Sequence, residues 1–481
     1  MLKVLLTHSY YYRYDPKQWK NKTPFPPLGT LLAAAVVKEQ SCELDFWDAN
    51  LQENHHDIEK LKVPDVFICY DDGFNYLTKM CLTNMRNAVY DQLKWAKANG
   101  ALTVVCSSDS TDHYKEYHRS GADIVIHGEG EGSLEEILTL KKNGELHLES
   151  IDGISWQNDA GEIVKNNGRK NISNLDQLPS PLWELVDMSA YRKIWAEGGK
   201  EFTLNIATTR GCPFKCNWCA KPIYGQRYNS RSPEQVVDEI EYLIRTFDVR
   251  HFWMCDDIFG LKPKWVQAFK EIVKQRELKF TYYIQSRVDL LLREDTIDAL
   301  ADSGLTEVWV GAESGSQKIL DAMDKDTTIA QIEEATVLLK KRGIKVCYFI
   351  QFGYLGETKE DIELTIDLIK RMNPSNIGVS VSYPLPGTKF YEKVKLELGN
   401  KKNWTDSDEL AMMFKGTFNS KFYKNLHRLV HCEFRFNQGI EHLRRGRFSP
   451  SNAKSILALP YYLPIIIVRR MMMKKLNNQA V

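Results

Sequence analysis

Cys212, Cys216 and Cys219 stand in one short stretch, TTRGCPFKCNWC, with the spacing CxxxCxxC. Three thiolates this close can hold three irons of a [4Fe-4S] cluster, and the fourth cysteine such clusters usually take has no counterpart nearby. One iron is then open to a substrate or cofactor, whereas a structural zinc site closes all four of its positions. A zinc site completed by His251 or Cys255 is the competing reading, but neither residue sits in a second paired ligand motif. Further polar groups follow apolar runs downstream: Cys255-Asp256-Asp257, Gln285-Ser286-Arg287, and GAESGS from Gly311 to Ser316, which includes Glu313 and Ser314. At the ends of strands, such residues suit ligand binding better than core packing.

The elements that must position these groups alternate strand and helix six times between residues 201 and 400. Strands are expected at Phe202 to Thr208, His251 to Cys255, Phe280 to Gln285, Glu307 to Gly311, Lys345 to Gln351 and Ile377 to Ser382. Helices are expected at Pro233 to Thr246, Lys264 to Arg276, Glu294 to Ser303, Ser316 to Met323, Ile329 to Arg342 and Lys359 to Met372. Ser232 and Pro233 make a cap and first-turn proline. Six units predict a partial (βα)6 barrel open on one side, with its chemistry at the carboxyl ends of the strands. The cysteine loop follows the first of them.

Residues 1 to 148 carry a second set of alternating elements. Strands at Lys3 to Thr7, Leu44 to Trp47, Val66 to Tyr70, Leu102 to Cys106 and Ile124 to His127 alternate with helices at Leu28 to Lys38, Met80 to Asn99 and Leu134 to Lys142. The pattern predicts an α/β, Rossmann-like, doubly wound parallel sheet whose ligand binds beyond the carboxyl ends of the strands. Two loops there are unusual: SSDSTD (Ser107, Ser108, Asp109, Ser110, Thr111, Asp112) and GEGEGS (Gly128, Glu129, Gly130, Glu131, Gly132, Ser133). Glycine permits close approach to a bulky ligand, and the hydroxyls and carboxylates supply hydrogen bonds. As a dinucleotide fingerprint GEGEGS fails, because its third glycine is misplaced and its glutamates would repel a pyrophosphate. An acidic first helical turn favoured by the helix dipole accounts for part of the pattern.

Residues 149 to 200 read as a connector, with a hairpin at Ile151 to Val164 turning near Asn158 to Gly161 and a proline-stiffened crossing at LPSPLW. Residues 401 to 481 read as a small, mostly helical region. It has one helix at Phe422 to Arg447 and an apolar stretch, Ile456 to Val468, followed by RRMMMKK. That stretch is too short to span a bilayer, which takes roughly 20 residues, and reads first as a buried segment. The sharper alternative is an interfacial anchor beside basic residues.

The 481 residues are 43% hydrophobic and 26% charged, enough apolar material for several cores. Sixty-four basic residues against 63 acidic ones give a net charge of +1, so nucleic acid is not expected as a partner. The ten cysteines form no paired framework, which suits a reducing cytoplasm. The amino terminus lacks a signal peptide's long apolar run.

Phe202 to Glu392 resembles the radical S-adenosylmethionine (SAM) enzymes, whose CxxxCxxC motif carries an aromatic residue before the last cysteine, as Trp218 does here. The resemblance implies that SAM chelates the open iron through its amino and carboxylate groups. An electron from the cluster, supplied by a flavodoxin- or ferredoxin-type reductant, would cleave it to methionine and a 5'-deoxyadenosyl radical. It also implies that Asp256 and Asp257 lie near the SAM amino group, that Glu313 and Arg287 hold its ribose and carboxylate, and that Gln285 and Ser314 belong to the same site. In FGYLGET the family commonly has proline at Leu355.

The first 148 residues resemble the amino-terminal cobalamin-binding domain of one class of these enzymes. The resemblance rests on YDPKQWKNKTPFPPLGTL, which contains Pro27, Leu28 and Gly29, and on GADIVIHGEGEGSLEEIL (Gly121 to Leu138). It implies a corrin beside Pro27 to Gly29, Ser107 to Asp109, Thr111 and Gly128 to Glu131, although the class often has paired glycines where Ser107 and Ser108 stand. None of the eleven histidines has an aspartate two residues before it, so no DxHxxG histidine ligates cobalt. The activity implied is methylation of an unactivated carbon, with methylcobalamin delivering the methyl group to a substrate radical. The substrate is unknown, a lipid or lipid-linked molecule if the carboxyl terminus contacts a membrane. Ring formation or rearrangement with the same cofactors is one alternative. A transfer-RNA methylthiotransferase is another, although Cys42, Cys69 and Cys106 lack that group's contexts. A non-catalytic cobalamin or iron-sulfur sensor is a third.

Overall fold

A computed structural model describes residues 1–75, 78, 82–221, 223–398, 403–407, 409–446 and 450–477. The expected helix start at Met80, the barrel limit at Asn400 and the helix end at Arg447 fall outside them.

The first sheet has seven strands in the order β2-β1-β3-β4-β5-β6-β7. They are β1 (Lys3–Thr7), β2 (Glu43–Trp47), β3 (Val66–Tyr70), β4 (Leu102–Cys106), β5 (Ile124–Ile126), β6 (Ile154–Gln157) and β7 (Ile163–Lys165). The first five are parallel and the last two antiparallel. Buried on both faces, the inner parallel strands β1, β3, β4 and β5 are almost wholly apolar, whereas the edge strand β2 is partly exposed and carries Glu43 and Asp45. Val4, Leu6, Ile68 and Val104 meet Ala33, Val37, Leu134 and Ile137 of the helices Leu28–Glu39 and Glu131–Asn143. On the other face Leu5, Phe67 and Val105 meet Val89 and Leu93 of the helix Thr83–Ala98. The order reverses between β1 and β3, and in such sheets ligands bind at that reversal, beyond the carboxyl ends. The hairpin expected in the connector is present, but β6 pairs with β5 and so extends this sheet.

The second sheet contains only parallel strands, in the order β15-β14-β13-β12-β11-β8. These are β8 (Leu204–Ile206), β11 (His251–Met254), β12 (Thr281–Ser286), β13 (Leu305–Glu313), β14 (Lys345–Phe352) and β15 (Asn376–Val381). The first and last strands do not meet, which is the open partial barrel expected. A short ladder of β9 (Thr209–Arg210) and β10 (Asn229–Ser230) closes the base of the cysteine loop.

Alternation puts Phe252, Met254, Tyr282, Ile284, Val308 and Val310 under the outer helices. It turns Trp253, Tyr283 and Trp309 to the lumen. The segment Pro24–Pro27 runs along this inner face, where Asn205 Nδ2 donates to the Pro26 carbonyl at 3.0 Å and the Phe25 ring lies 4.7 Å from that of Trp253.

The carboxyl region is helical: Ser420–Arg444, Pro450–Leu457 and Leu459–Asn477. The buried reading of Ile456 to Val468 does not hold. Leu457 is 79% and Tyr461 67% exposed, because the segment packs only one side, against the Ser420–Arg444 helix. No helix among the described residues is long and apolar enough to cross a membrane.

Candidate radical and corrin sites

The cysteine loop begins where β8 ends. Buried Asp256 fixes that point, accepting from Thr208 N and Thr209 N at 2.7 Å each and from Thr208 Oγ1 at 2.6 Å. Burial pushes its carboxyl up to about 6 against these bonds. Asp256 therefore shapes the loop, and its neighbour Asp257 is the carboxylate whose charge bears on Cys212 and Cys219.

Asn217, which the sequence did not single out, fastens the loop's middle. Its N donates to the Met323 carbonyl at 3.0 Å, its carbonyl accepts from Phe390 N at 2.9 Å, Nδ2 donates to Ala322 O at 2.7 Å and Oδ1 accepts from Tyr354 Oη at 2.6 Å. Next to it, Trp218 packs on a cluster containing Ile319, Met323, Tyr354 and Phe390. The loop is therefore rigid at the residue between its second and third sulfurs.

All three cysteines are free and partly accessible. Burial raises the Cys212 thiol and pushes Cys219 up to about 11, with Lys221 opposing both, so metal binding would release protons. Among the described residues, the one group of three His, Cys, Asp or Glu atoms all within 4.8 Å is His55, His56 and Asp91. The three sulfurs do not form such a group. Cys255 is turned away, with its Sγ donating to Ile206 O at 3.2 Å.

Cations surround Cys216. Arg287 Nη1 lies 3.8 Å from its sulfur, Nε donates to Asp289 at 2.8 Å, and the guanidinium stacks 3.8 Å from the Phe214 ring centre. Lys325, also missed, forms a buried 2.8 Å pair with Glu313, and Cys216 helps raise its ammonium pKa. Glu313 holds a φ of +57°, a strained backbone of the kind found at functional sites. Ser314 instead makes a turn, bonded to Thr365 Oγ1 at 3.1 Å, and Gln285 lies at the lumen end of β12.

At the first sheet's carboxyl edge, a small cleft is lined by Tyr70, Asp71, Gly73, Thr78, Cys106, Ser107, Ser108, Ile223 and Tyr224. It is therefore shared between the sheet edge and the residues just after Cys219. Ser107 caps its helix through Ser110 N at 2.8 Å, and buried Ser108 lines the cleft. A corrin entering here would have to displace Ile223 and Tyr224. Thr111 bridges two loops, donating to Ser107 O at 2.8 Å and accepting from Gly128 N at 3.4 Å. Gly29 lets its helix touch the β3 loop, where a Cβ would sit 3.0 Å from Asp72 Cα. Pro27 caps that helix, and Leu28 lines a second cleft with Thr209, Arg210 and Pro179. Gly130 is equally constrained, because a Cβ there would meet Cys106 Sγ at 2.6 Å.

The carboxylates expected to face a corrin are engaged elsewhere. Asp109 pairs with Arg86 Nε at 2.7 Å and accepts from Tyr117 Oη at 2.7 Å. Arg210, two residues before Cys212, reaches Glu129 at 2.5 Å and Glu131 at 2.7 Å, all three side chains being about 95% buried. Glu129 also accepts from Ile172 N at 2.6 Å. The GEGEGS glutamates therefore clamp the cysteine loop to the first sheet. The sequence offered one signal, a cation adjoining the motif opposite two acids spaced i, i+2.

In the FGYLGET turn, Glu357 accepts from Gly353 N at 2.7 Å, and burial pushes its carboxyl from 4.5 up to about 8. The folded chain thus keeps a proton that the unfolded chain loses, so stability should fall as pH rises from about 4.5 to about 8, by at most about 1.4 kcal/mol per unit. Glu357→Gln should remove that slope. Thermal unfolding at several pH values checks this, and equal slopes in both proteins would contradict it.

A family model described as the radical SAM superfamily matches residues 206–369. An uncharacterized methyltransferase of Pyrococcus horikoshii is 27% identical over 77% of this chain and 78% of its own. The anaerobic magnesium-protoporphyrin IX monomethyl ester cyclase of Rubrivivax gelatinosus is 30% identical over 58% of this chain, which spans only 49% of that protein. The hopanoid C-3 methylase of Methylococcus capsulatus is 24% identical over 77% and 69%. Among solved structures, the cobalamin-dependent S-adenosylmethionine radical enzyme OxsB with aqua-cobalamin bound superposes with a TM-score of 0.73 at 17% identity, covering 98% of this chain and 72% of that one. At that identity the likeness is one of fold.

Proposed function

The chain belongs to the radical SAM superfamily, and from this premise we propose that it is a cobalamin-dependent enzyme that methylates an unactivated carbon of a lipid or lipid-linked substrate. The observation that carries the proposal is the shared cleft, whose walls are the carboxyl edge of the first sheet on one side and Ile223 and Tyr224 of the cysteine loop on the other.

Cys212, Cys216 and Cys219 would hold the cluster, and Ser107, Ser108 and Gly73 would face the corrin. When bound, these groups supply one-electron cleavage of SAM and a transferable methyl group. The chain's own work is to hold and shield them. Arg287 and Lys325 place positive charge beside Cys216. Asp256, Asn217 and Arg210 fix the start, middle and base of the loop, and Trp218 keeps water from one side of it. In the lumen, Trp309 and Phe349 stack at 4.8 Å, an aromatic surface for an apolar substrate, while Trp253 is covered by Phe25. The hopanoid methylase relative supports a lipid class, reached at a membrane surface through the carboxyl terminus. A flavodoxin- or ferredoxin-type donor in a cytoplasmic setting completes the proposal, and no nucleic acid takes part.

The cyclase relative favours ring formation as the second reading. SAM labelled in its methyl group separates the two, because only methylation carries the label into product. For the corrin, anaerobic protein mixed with hydroxocobalamin and then desalted should retain about one corrin per chain, and Ser108→Trp should retain far less. Equal retention by both proteins, or none by the parent, would contradict the assignment.

A further inference from the structure

The helix Leu459–Asn477 is held against Ser420–Arg444 by bonds that also set its rotation. Arg470 pairs with Glu433 at 2.6 Å and with Glu363 at 3.5 Å. Arg469 Nη1 donates to Asn425 Oδ1 at 2.9 Å, while the Arg469 carbonyl accepts from Asn425 Nδ2 at 3.1 Å. Both arginines of the RRMMMKK run are thus drawn inward, and the outward face is left to other residues.

Those residues are Tyr461, Leu463, Ile467, Val468, Met471 and Met472, between 44% and 67% exposed. At about 100° per residue they spread over roughly half the helix circumference. No acidic residue occurs from Ser451 to the end of the chain, and the exposed cations, Lys454 before the face and Lys474 and Lys475 after it, flank it. An apolar stripe this wide on a surface helix marks an interaction site, and its lack of carboxylates with lysines at both ends matches an anionic surface.

We infer that this face docks the enzyme on an anionic phospholipid bilayer, with the helix lying in the plane of the interface. It does not span the bilayer, because no helix among the described residues is long and apolar enough. The supporting helix Ser420–Arg444 lies beside the barrel's last strand, with Gln438 Nε2 donating to Ser375 O at 3.1 Å and Asn437 Nδ2 to Lys370 O at 3.3 Å. Docking therefore brings the β15 edge of the barrel near lipid. The purpose of this contact rests on the proposed lipid substrate, whereas the docking itself stands on the helix alone.

Full-length, cluster-reconstituted protein is floated with vesicles of pure phosphatidylcholine or of equimolar phosphatidylcholine and phosphatidylglycerol. The parent should float with the anionic vesicles and much less with the neutral ones. Lys474→Ala/Lys475→Ala should weaken partitioning about 30-fold, at about 1 kcal/mol per lysine, and Ile467→Asp/Met471→Asp should abolish it. A parent that stays with the soluble fraction in both cases overturns the proposal. So does a charged-face variant that floats like the parent, or one that turns a soluble dimer into a monomer, since the face then binds a second copy. If the aspartate variant does not fold, the lysine variant decides alone. SAM cleavage measured on the same samples separates the two readings: flotation without cleavage overturns the radical enzyme, and cleavage without flotation overturns the docking.

Discussion

Arg210→Met is expected to destabilise the protein by about 3–5 kcal/mol, the range for removing one partner of a buried ion pair. Its guanidinium is the counter-charge to two buried carboxylates. Without it, Glu129 keeps the bond from Ile172 N, while Glu131 already has one buried oxygen with no partner. Both carboxylates would then have to stay charged in a medium that solvates them poorly or take up protons, and either course weakens the fold at neutral pH. The loss should shrink as pH falls, because protonated carboxyls need no cation. Glu129→Gln/Glu131→Gln in the Arg210→Met background should recover part of the stability. Urea unfolding at neutral and acidic pH measures this, and a single variant within about 1 kcal/mol of the parent would show that the clamp is not needed. The join between the first sheet and the cysteine loop depends on this triad, so corrin retention should fall along with stability.

The second large effect concerns the sulfur ligands. Alanine at Cys212, Cys216 or Cys219 should leave the melting temperature of the metal-free protein within a few degrees of the parent, because all three are partly exposed and lie outside the apolar clusters. SAM cleavage should nonetheless fall below detection, since two thiolates do not hold a cluster that needs three or more. Cys255→Ala is the control. Its sulfur is bonded to Ile206 O and faces away from the loop, so it should lose little activity. A zinc site with Cys255 as fourth ligand would give the opposite pattern.

Both sheets were legible because their inner strands are buried and written in β-branched and aromatic residues. Strands β1, β3 and β4 begin and end where the apolar runs do, and every end of the six barrel strands falls within two residues of expectation. The first barrel strand is shorter than its apolar run, Leu204–Ile206 rather than Phe202 to Thr208, because Asp256 draws the Thr208 and Thr209 amides out of the ladder. The cysteine spacing was legible as chemistry because its ligands are local. The clamp was not, since Arg210 meets Glu129 and Glu131 across some eighty residues and no periodicity records a contact of that kind. Asn217 and Lys325 were missed for the same reason. The apolar stretch Ile456 to Val468 was misread as buried because hydropathy does not say which way a helix is turned, and its rotation is set by Arg469 and Arg470 binding residues of other helices.

The central claim is that the three-cysteine loop carries a cluster with one vacant iron at which SAM is split. The most direct measurement uses anaerobically reconstituted full-length protein with SAM and a strong reductant. It should form 5'-deoxyadenosine and methionine in equal amounts, and SAM should change the electron paramagnetic resonance spectrum of the reduced cluster. A cluster whose spectrum ignores SAM and which yields no 5'-deoxyadenosine would contradict the account.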